Sequence, residues 1–240
     1  MNCSASAIAV GARGSPLSQA QMDEVLQELR EFYPEVEFQP VWVETTGDKD
    51  LKTSLRTLER TDFFTKEIDS LQLSGRCRLS VHSAKDLPDP LPEGLILVAL
   101  TKGVDPSDSI VLREFATPSL ESLPYGAKIG TSSARREKNI RELRSDFVCV
   151  DIRGNIQTRL ALLDAGIVDG VVMAEAALIR LKLTHRNRIP LPGERARLQG
   201  QLAVLAREGD EEMQRLFQCI DERQDENDAL FGNRSDAIRG

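Results

Sequence analysis

Lys128-Ile129-Gly130-Thr131-Ser132-Ser133-Ala134-Arg135-Arg136 reads as a strand that runs into a capped helix. The first three residues suit a short strand, Ser133 offers a side-chain cap, and Ile140 and Leu143 follow at helical spacing. The start of the chain has the same grammar. Ile8-Ala9-Val10-Gly11 is an apolar strand, and Ser15-Pro16 sets an N-cap before proline at the first helical position. Met22, Val25, Leu26, Leu29 and Phe32 then keep a helical period. A further strand follows each helix, over residues 36–43 (bent at Pro40) and 147–150. Repeated strand–helix–strand units predict an α/β fold. Leu26-Gln27-Glu28-Leu29-Arg30 and Ile140-Arg141-Glu142-Leu143-Arg144 form a weak internal echo before those strands. The echo reads either as two amphipathic helices that look alike or as two related lobes of the type that hold a ligand between them.

Outward from these units, Thr46–Lys49 reads as a loop, residues 63–73 as a helix and 78–82 as a strand ending in the polar loop Ser83-Ala84-Lys85-Asp86. Leu95–Leu100 is a buried-type strand, and Asp105-Pro106-Ser107-Asp108 a hinge. Arg153-Gly154-Asn155 precedes a helix that Gly166 closes. A strand over 170–173, a helix over 176–183, a strand over 201–205 and a helix over 211–220 complete the pattern. Residues 1–101 with 204–220 are expected to form one lobe, 106–199 the other, and 221–240 an acid-rich, frayed tail.

With 240 residues, 40% hydrophobic, the chain can bury the core of one large or two small domains. A net charge of −7 argues against nonspecific nucleic-acid binding, which needs a basic face, but leaves room for a small anion in a local basic site. Cys3, Cys77, Cys149 and Cys219 form no Cys-x-x-Cys pair, and only two histidines accompany them, so neither a metal site nor a disulfide scaffold is expected. The start lacks a basic segment, and no apolar run reaches the about 18 residues of a membrane span. The expectation is a cytoplasmic protein with no membrane or nucleic-acid partner.

Strand ends that lead into capped helices are anion sites, because free backbone N–H groups and the helix dipole face outward there. This sequence puts cations at such points: Arg13 before Ser15, Arg135 and Arg136 after Ser133, Arg153 and Arg159 around a helix start, and Arg180 on a later helix. Guanidinium forks match carboxylates, so the set predicts a polyanionic small ligand. Asp86, beside Lys85 after an apolar strand, is the carboxylate best placed to stabilise a cation and move protons. His82 reads as a structural histidine at a strand end.

Together these motifs resemble hydroxymethylbilane synthase, also called porphobilinogen deaminase. The matching stretches are Ala12-Arg13-Gly14-Ser15-Pro16-Leu17, Thr46-Gly47-Asp48, Phe64-Thr65-Lys66-Glu67, Val81-His82-Ser83-Ala84-Lys85-Asp86-Leu87-Pro88, Gly130-Thr131-Ser132-Ser133-Ala134-Arg135-Arg136 and Asp151-Ile152-Arg153-Gly154-Asn155-Ile156-Gln157-Thr158-Arg159-Leu160. The resemblance implies two α/β lobes of periplasmic-binding-protein type II architecture around a central cleft, and a third α+β domain for which this sequence shows no counterpart. It implies condensation of four porphobilinogen units into the linear tetrapyrrole hydroxymethylbilane with loss of ammonia, primed by a dipyrromethane cofactor. Carried over by motif, Asp86 is catalytic. Arg13, Ser15, Lys66, Arg153 and Arg180 hold substrate, and Lys85, Ser133, Arg135, Arg136 and Arg159 hold cofactor carboxylates.

Some positions depart from the family. Thr61 stands where it usually has a cleft lysine, Arg78 replaces an acid and Ala177 a glycine. No cysteine lies in the Gly-Gly-Cys type of loop that anchors the cofactor, and the attachment point is therefore unknown; Cys219 is the substitute to weigh. The rival readings are a protein of the same fold that binds pyrrole carboxylates without polymerising them, and an enzyme completed by a partner chain. Otherwise a monomer is expected.

Overall fold

The computed structural model describes residues 7–50, 53, 62–113 and 118–223. The chain divides into two compact units, Met1–Thr46 with Arg60–Gly103 and Gln201–Gly240, and Gly47–Glu59 with Val104–Gly200.

Unit 1 contains strands β1 (Ile8–Arg13), β2 (Phe38–Val43), β3 (Leu79–Ser83), β4 (Leu95–Leu100) and β10 (Leu202–Arg207), and helices α1 (Pro16–Arg30), α3 (Lys66–Leu73) and α7 (Glu211–Phe217). Its sheet runs β2-β1-β3-β10-β4. β1 is parallel to β2 and β3, while β10 is antiparallel to β3 and β4. Val10, Met22, Val25, Leu29, Leu79, Val204 and Phe217 are fully buried in one cluster, so α1 and α7 share a face of the sheet. Pro40 sits within β2, where an edge strand tolerates a missing donor.

Unit 2 contains β5 (Asp108–Leu112), β6 (Lys128–Gly130), β7 (Val148–Val150), β8 (Gly170–Ala174) and β9 (Arg188–Leu191), with α4 (Ala134–Leu143), α5 (Ile156–Asp164) and α6 (Glu175–Arg180). Its sheet runs β7-β6-β8-β5-β9. β6 is parallel to β7 and β8, and β5 is antiparallel to β8 and β9. The two sheets thus have the same plan: three parallel strands, one antiparallel strand and an edge. The sequence echo falls on α1 and α4, which are the equivalent crossovers β1-to-β2 and β6-to-β7.

Several details differ from the sequence expectation. Thr46–Lys49 is a short helix (α2) rather than a loop. Gly47 and Asp50, expected with the first lobe, join unit 2, where the Arg153 guanidinium donates to their carbonyls. Asp221 and Arg223 are docked on β4, not frayed: the Leu100 amide donates to Asp221 Oδ1 (2.9 Å), and Arg223 donates to the Leu97 carbonyl (3.1 Å). The rest of the expected tail lies outside the described residues, as does Thr61.

Gly200 stands where the chain leaves unit 2, at φ +94°, and a Cβ there would lie 2.5 Å from the Val104 carbonyl oxygen. The Val104 amide also donates to the Gly200 carbonyl at 3.2 Å, so the two strands of main chain cannot separate freely. Gly200→Ala combines a disfavoured backbone with a main-chain clash. It is expected to cost about 2 kcal/mol or more in urea unfolding; a cost under about 0.5 kcal/mol would show that the segment relaxes.

Candidate functional site

In unit 1, β1 and β3 are parallel, so the turns that follow them leave one edge of the sheet. Ser15 caps α1: its hydroxyl accepts from the Ser18 amide at 3.2 Å. Beside it a pocket is walled by Arg13, Ser15, Gln21, Phe64, Thr65, His82, Ser83 and Asp86. The Arg13 guanidinium lies 4.6 Å from the centre of the Phe64 ring, which fixes a cation with little loss of charge. Gln21 donates to Ser83 Oγ at 2.7 Å and braces the β3 end against α1.

Asp86 closes a 3-10 turn over Ala84–Asp86 and is exposed. Its carboxylate has no hydrogen-bond or ion-pair partner among the described residues. His82 is 7% exposed, and its Nε2 has no partner among the described residues. Burial, aided by the Arg13 charge, lowers its pKa from 6.5 to about 4, so the imidazole is neutral at pH 7. One helical turn beyond Thr65, Asp69 is also buried. Burial pushes its carboxyl up to about 6; Asp62 and Glu67 add to the rise, and the Thr65 hydroxyl offsets part of it.

In unit 2, the carboxyl ends of β6 and β7 lead into the capped starts of α4 and α5. Ser133 Oγ accepts from the Arg136 amide (3.4 Å), and Asn155 Oδ1 from the Thr158 amide (2.9 Å). Arg135 and Arg136 meet at the buried Asp108 carboxylate. Arg153 donates to the Asp50 carbonyl (2.7 Å), Arg159 to the Gly154 carbonyl (2.9 Å) and Arg180 to the Gly200 carbonyl (2.8 Å). Gly154 has φ +97°, which lets the chain turn tightly into α5.

The expected set therefore resolves into two local groups. Arg13, Ser15 and Asp86 share the unit 1 pocket; Lys85 is half-buried on the turn before Asp86, and Lys66 is exposed on the first turn of α3, outside the pocket wall. Ser133, Arg135, Arg136, Arg153 and Arg159 gather around the two helix starts of unit 2, and Arg180 ends α6. Gln21 and Asp108 join these groups without having been expected there, and Gln199, only a weak family match in sequence, joins them too. Gln21 carries a faint signal as a polar residue on the apolar stripe of α1, whereas Asp108 and Gln199 act through contacts far apart in sequence.

An acidic pyrrole fits the donors of both groups, with cations and capped helix starts to take its carboxylates. The described thiols do not suit a covalent anchor. Cys77 is fully buried and its pKa raised by burial; Cys219 packs on the unit 1 core with its thiol also raised by burial; Cys149 packs on the core of unit 2.

The family model "Porphobilinogen deaminase, dipyromethane cofactor binding domain" matches residues 8–215. The chain belongs to the porphobilinogen deaminase family. It is 43% identical over 220 residues to the porphobilinogen deaminase of Desulforudis audaxviator, covering 89% of this chain and 70% of that protein. It is 38% identical over 211 residues to the probable porphobilinogen deaminase of Chlamydia pneumoniae, covering 88% of each. Among solved structures, the BenM effector-binding domain with its effector benzoate is similar at a TM-score of 0.51 and 14% identity, over 89% of this chain and 90% of that one. That likeness bears on the fold alone and agrees with a periplasmic-binding-protein type II architecture. The matched range, residues 8–215, includes every candidate residue of the two groups.

His82 and Asp69 titrate with opposite effects on stability. The unfolded chain takes up the His82 proton near pH 6.5 and the folded chain only near 4, so acidification through this window costs about 3 kcal/mol. Folded Asp69 instead holds its proton up to about pH 6, against 3.8 unfolded, so acidification restores a similar amount. Asp69→Asn removes the second effect. Across a pH series of urea unfoldings, its stability relative to wild type is expected to rise by about 3 kcal/mol from pH 4 to pH 7; a difference independent of pH would mean that Asp69 titrates normally.

Proposed function

We propose that the chain condenses four porphobilinogen units head to tail into hydroxymethylbilane, releasing one ammonia per unit and taking up one water for the terminal hydroxymethyl group, in tetrapyrrole synthesis. The observation that carries this reading is the Asp86 carboxylate, without a partner among the described residues, on the wall of a pocket that also holds Arg13. An anion binder gains nothing from a negative group there, whereas a pyrrole that becomes cationic during reaction does.

Arg13 and the capped start of α1 take a substrate carboxylate and orient the pyrrole. Loss of ammonia leaves positive charge on the pyrrole system, and Asp86 offsets it. After the new carbon–carbon bond forms, the attacked ring must lose a proton from its bonding carbon, and Asp86 is the base within the pocket. His82 stays neutral and so adds no competing positive charge beside Asp86. Within unit 2, Ser133, Arg135, Arg136 and Arg159 offer donors for cofactor carboxylates, and Arg153 and Arg180 for those of substrate; in unit 1, Lys85 offers a cation of the first kind and Lys66 one of the second. Dipyrromethane, when bound, supplies the terminal pyrrole from which the product grows. The free thiols of Cys77, Cys149 and Cys219 support a reducing compartment such as the cytoplasm.

Asp86→Asn keeps the shape and removes the charge. Ammonia release from porphobilinogen is expected to fall about 100–1000-fold, with ligand affinity changed far less. Equal turnover in the two proteins would remove Asp86 from the mechanism. No turnover in wild type, with tighter porphobilinogen binding in the variant, would favour a binding protein.

A further inference from the structure

Asp108 opens β5 and is 3% exposed. Its Oδ1 accepts from Arg136 Nη2 at 2.5 Å and its Oδ2 from Arg135 Nη2 at 2.9 Å. Gln199 Nε2 donates to the same Oδ1 at 3.0 Å and to the Pro106 carbonyl at 2.7 Å, so the carboxylate is tied to its own main chain from across the unit. Burial works to raise the Asp108 pKa; Arg136 and Arg135 together outweigh it and hold the carboxyl below the usual range. Arg135 also donates to the Glu194 carbonyl. Arg136 is 9% exposed, and its Nε–H has no acceptor among the described residues.

One carboxylate between two guanidiniums leaves one positive charge uncompensated in a place largely shut off from water. Such a charge is costly when unpaired and strongly drawn to an anion. We propose that Asp108, held by Gln199, is the positioning residue of the Arg135–Arg136 pair: it fixes the two guanidiniums and limits their surplus to one charge, so that one ligand carboxylate completes the set. The inference rests on the reading that these arginines receive pyrrole carboxylates.

Charge and orientation predict opposite results for Asp108→Asn. The variant gains one net positive charge, so attraction for any anion rises, but its amide NH2 faces a guanidinium and the pair loses its aim. In the full chain, inorganic sulfate titrated by calorimetry is expected to bind the variant at least as tightly as wild type. The KM for porphobilinogen is expected to rise tenfold or more, with kcat within about threefold because ground and transition states lose the same contact. Asp108→Glu keeps the charge and moves the carboxylate by one methylene; it serves if the Asn variant does not fold, with sulfate affinity unchanged and KM raised. Gln199→Leu should raise KM about fivefold without altering sulfate binding, since a net hydrogen-bond contribution is about 1 kcal/mol. A porphobilinogen KM at or below the wild-type value in the folded Asp108 variants overturns the proposal. A wild-type KM in Arg135→Gln and Arg136→Gln would instead overturn the reading beneath it.

Discussion

In each unit, three neighbouring strands run parallel, and a parallel strand can only be followed by a crossover that starts from the same edge as its neighbours'. The ends of β1 and β3 therefore lie side by side, as do those of β6 and β7. Every helix start placed there brings free N–H groups, and every turn there carries its side chains to the same rim. Ser15, Ser133 and Asn155 satisfy one donor each and leave the rest of the helix start positive. Arginines at such a rim reinforce that field. The antiparallel strands β10 and β5 fill the fourth place of each sheet, and because β5 runs against its neighbours it begins at this rim and brings Asp108 to it.

Holding several guanidiniums at fixed positions requires acceptors, and the kind of acceptor matters. Arg153, Arg159 and Arg180 each donate to a main-chain carbonyl, and Arg135 donates to one besides its ion pair with Asp108; a carbonyl orients a guanidinium without itself cancelling charge. Arg78, Arg144 and Arg188 instead meet the carboxylates of Asp210, Asp146 and Glu175. Arg78, which stands where the family usually has an acid, joins the start of β3 to the cap of α7: it contacts Asp210 at 2.8 Å and Glu212 at 2.6 Å. Its charge is used within unit 1 for packing and is not part of the pocket.

The sequence made the parallel units legible because their strands are short apolar runs and their helices begin at serine. Leu95–Leu100 and Lys128–Gly130 fall where the pattern puts them. β5 was hidden because its first residue is an aspartate in a run of polar and proline residues, a composition that reads as hinge. Asp108 is buried all the same, since two distant arginines compensate it, and no local pattern contains that information. β9 was hidden by Arg188 and Pro190, which suit only an edge strand. The candidate arginines were visible through their neighbours in sequence; the groups they meet, Asp108 with its neighbour Gln199 and the carbonyls of Asp50 and Gly200, come together only through tertiary structure.

The contrast between Asp86 and Asp108 shows how environment divides labour between two carboxylates. Asp108 is surrounded by three donors, and its low pKa follows from two cations in contact with it. A proton on that group would break both ion pairs, so it cannot serve as a base near neutral pH; its lone pairs are already committed to orientation. Asp86 has the opposite setting. It is exposed, has no partner among the described residues, and stands on the pocket wall with Arg13 and a neutral imidazole. A carboxylate with free lone pairs can accept a proton or face a cation without first breaking a bond. The same residue type is thus held for geometry at a buried strand start and left available for chemistry at an exposed turn.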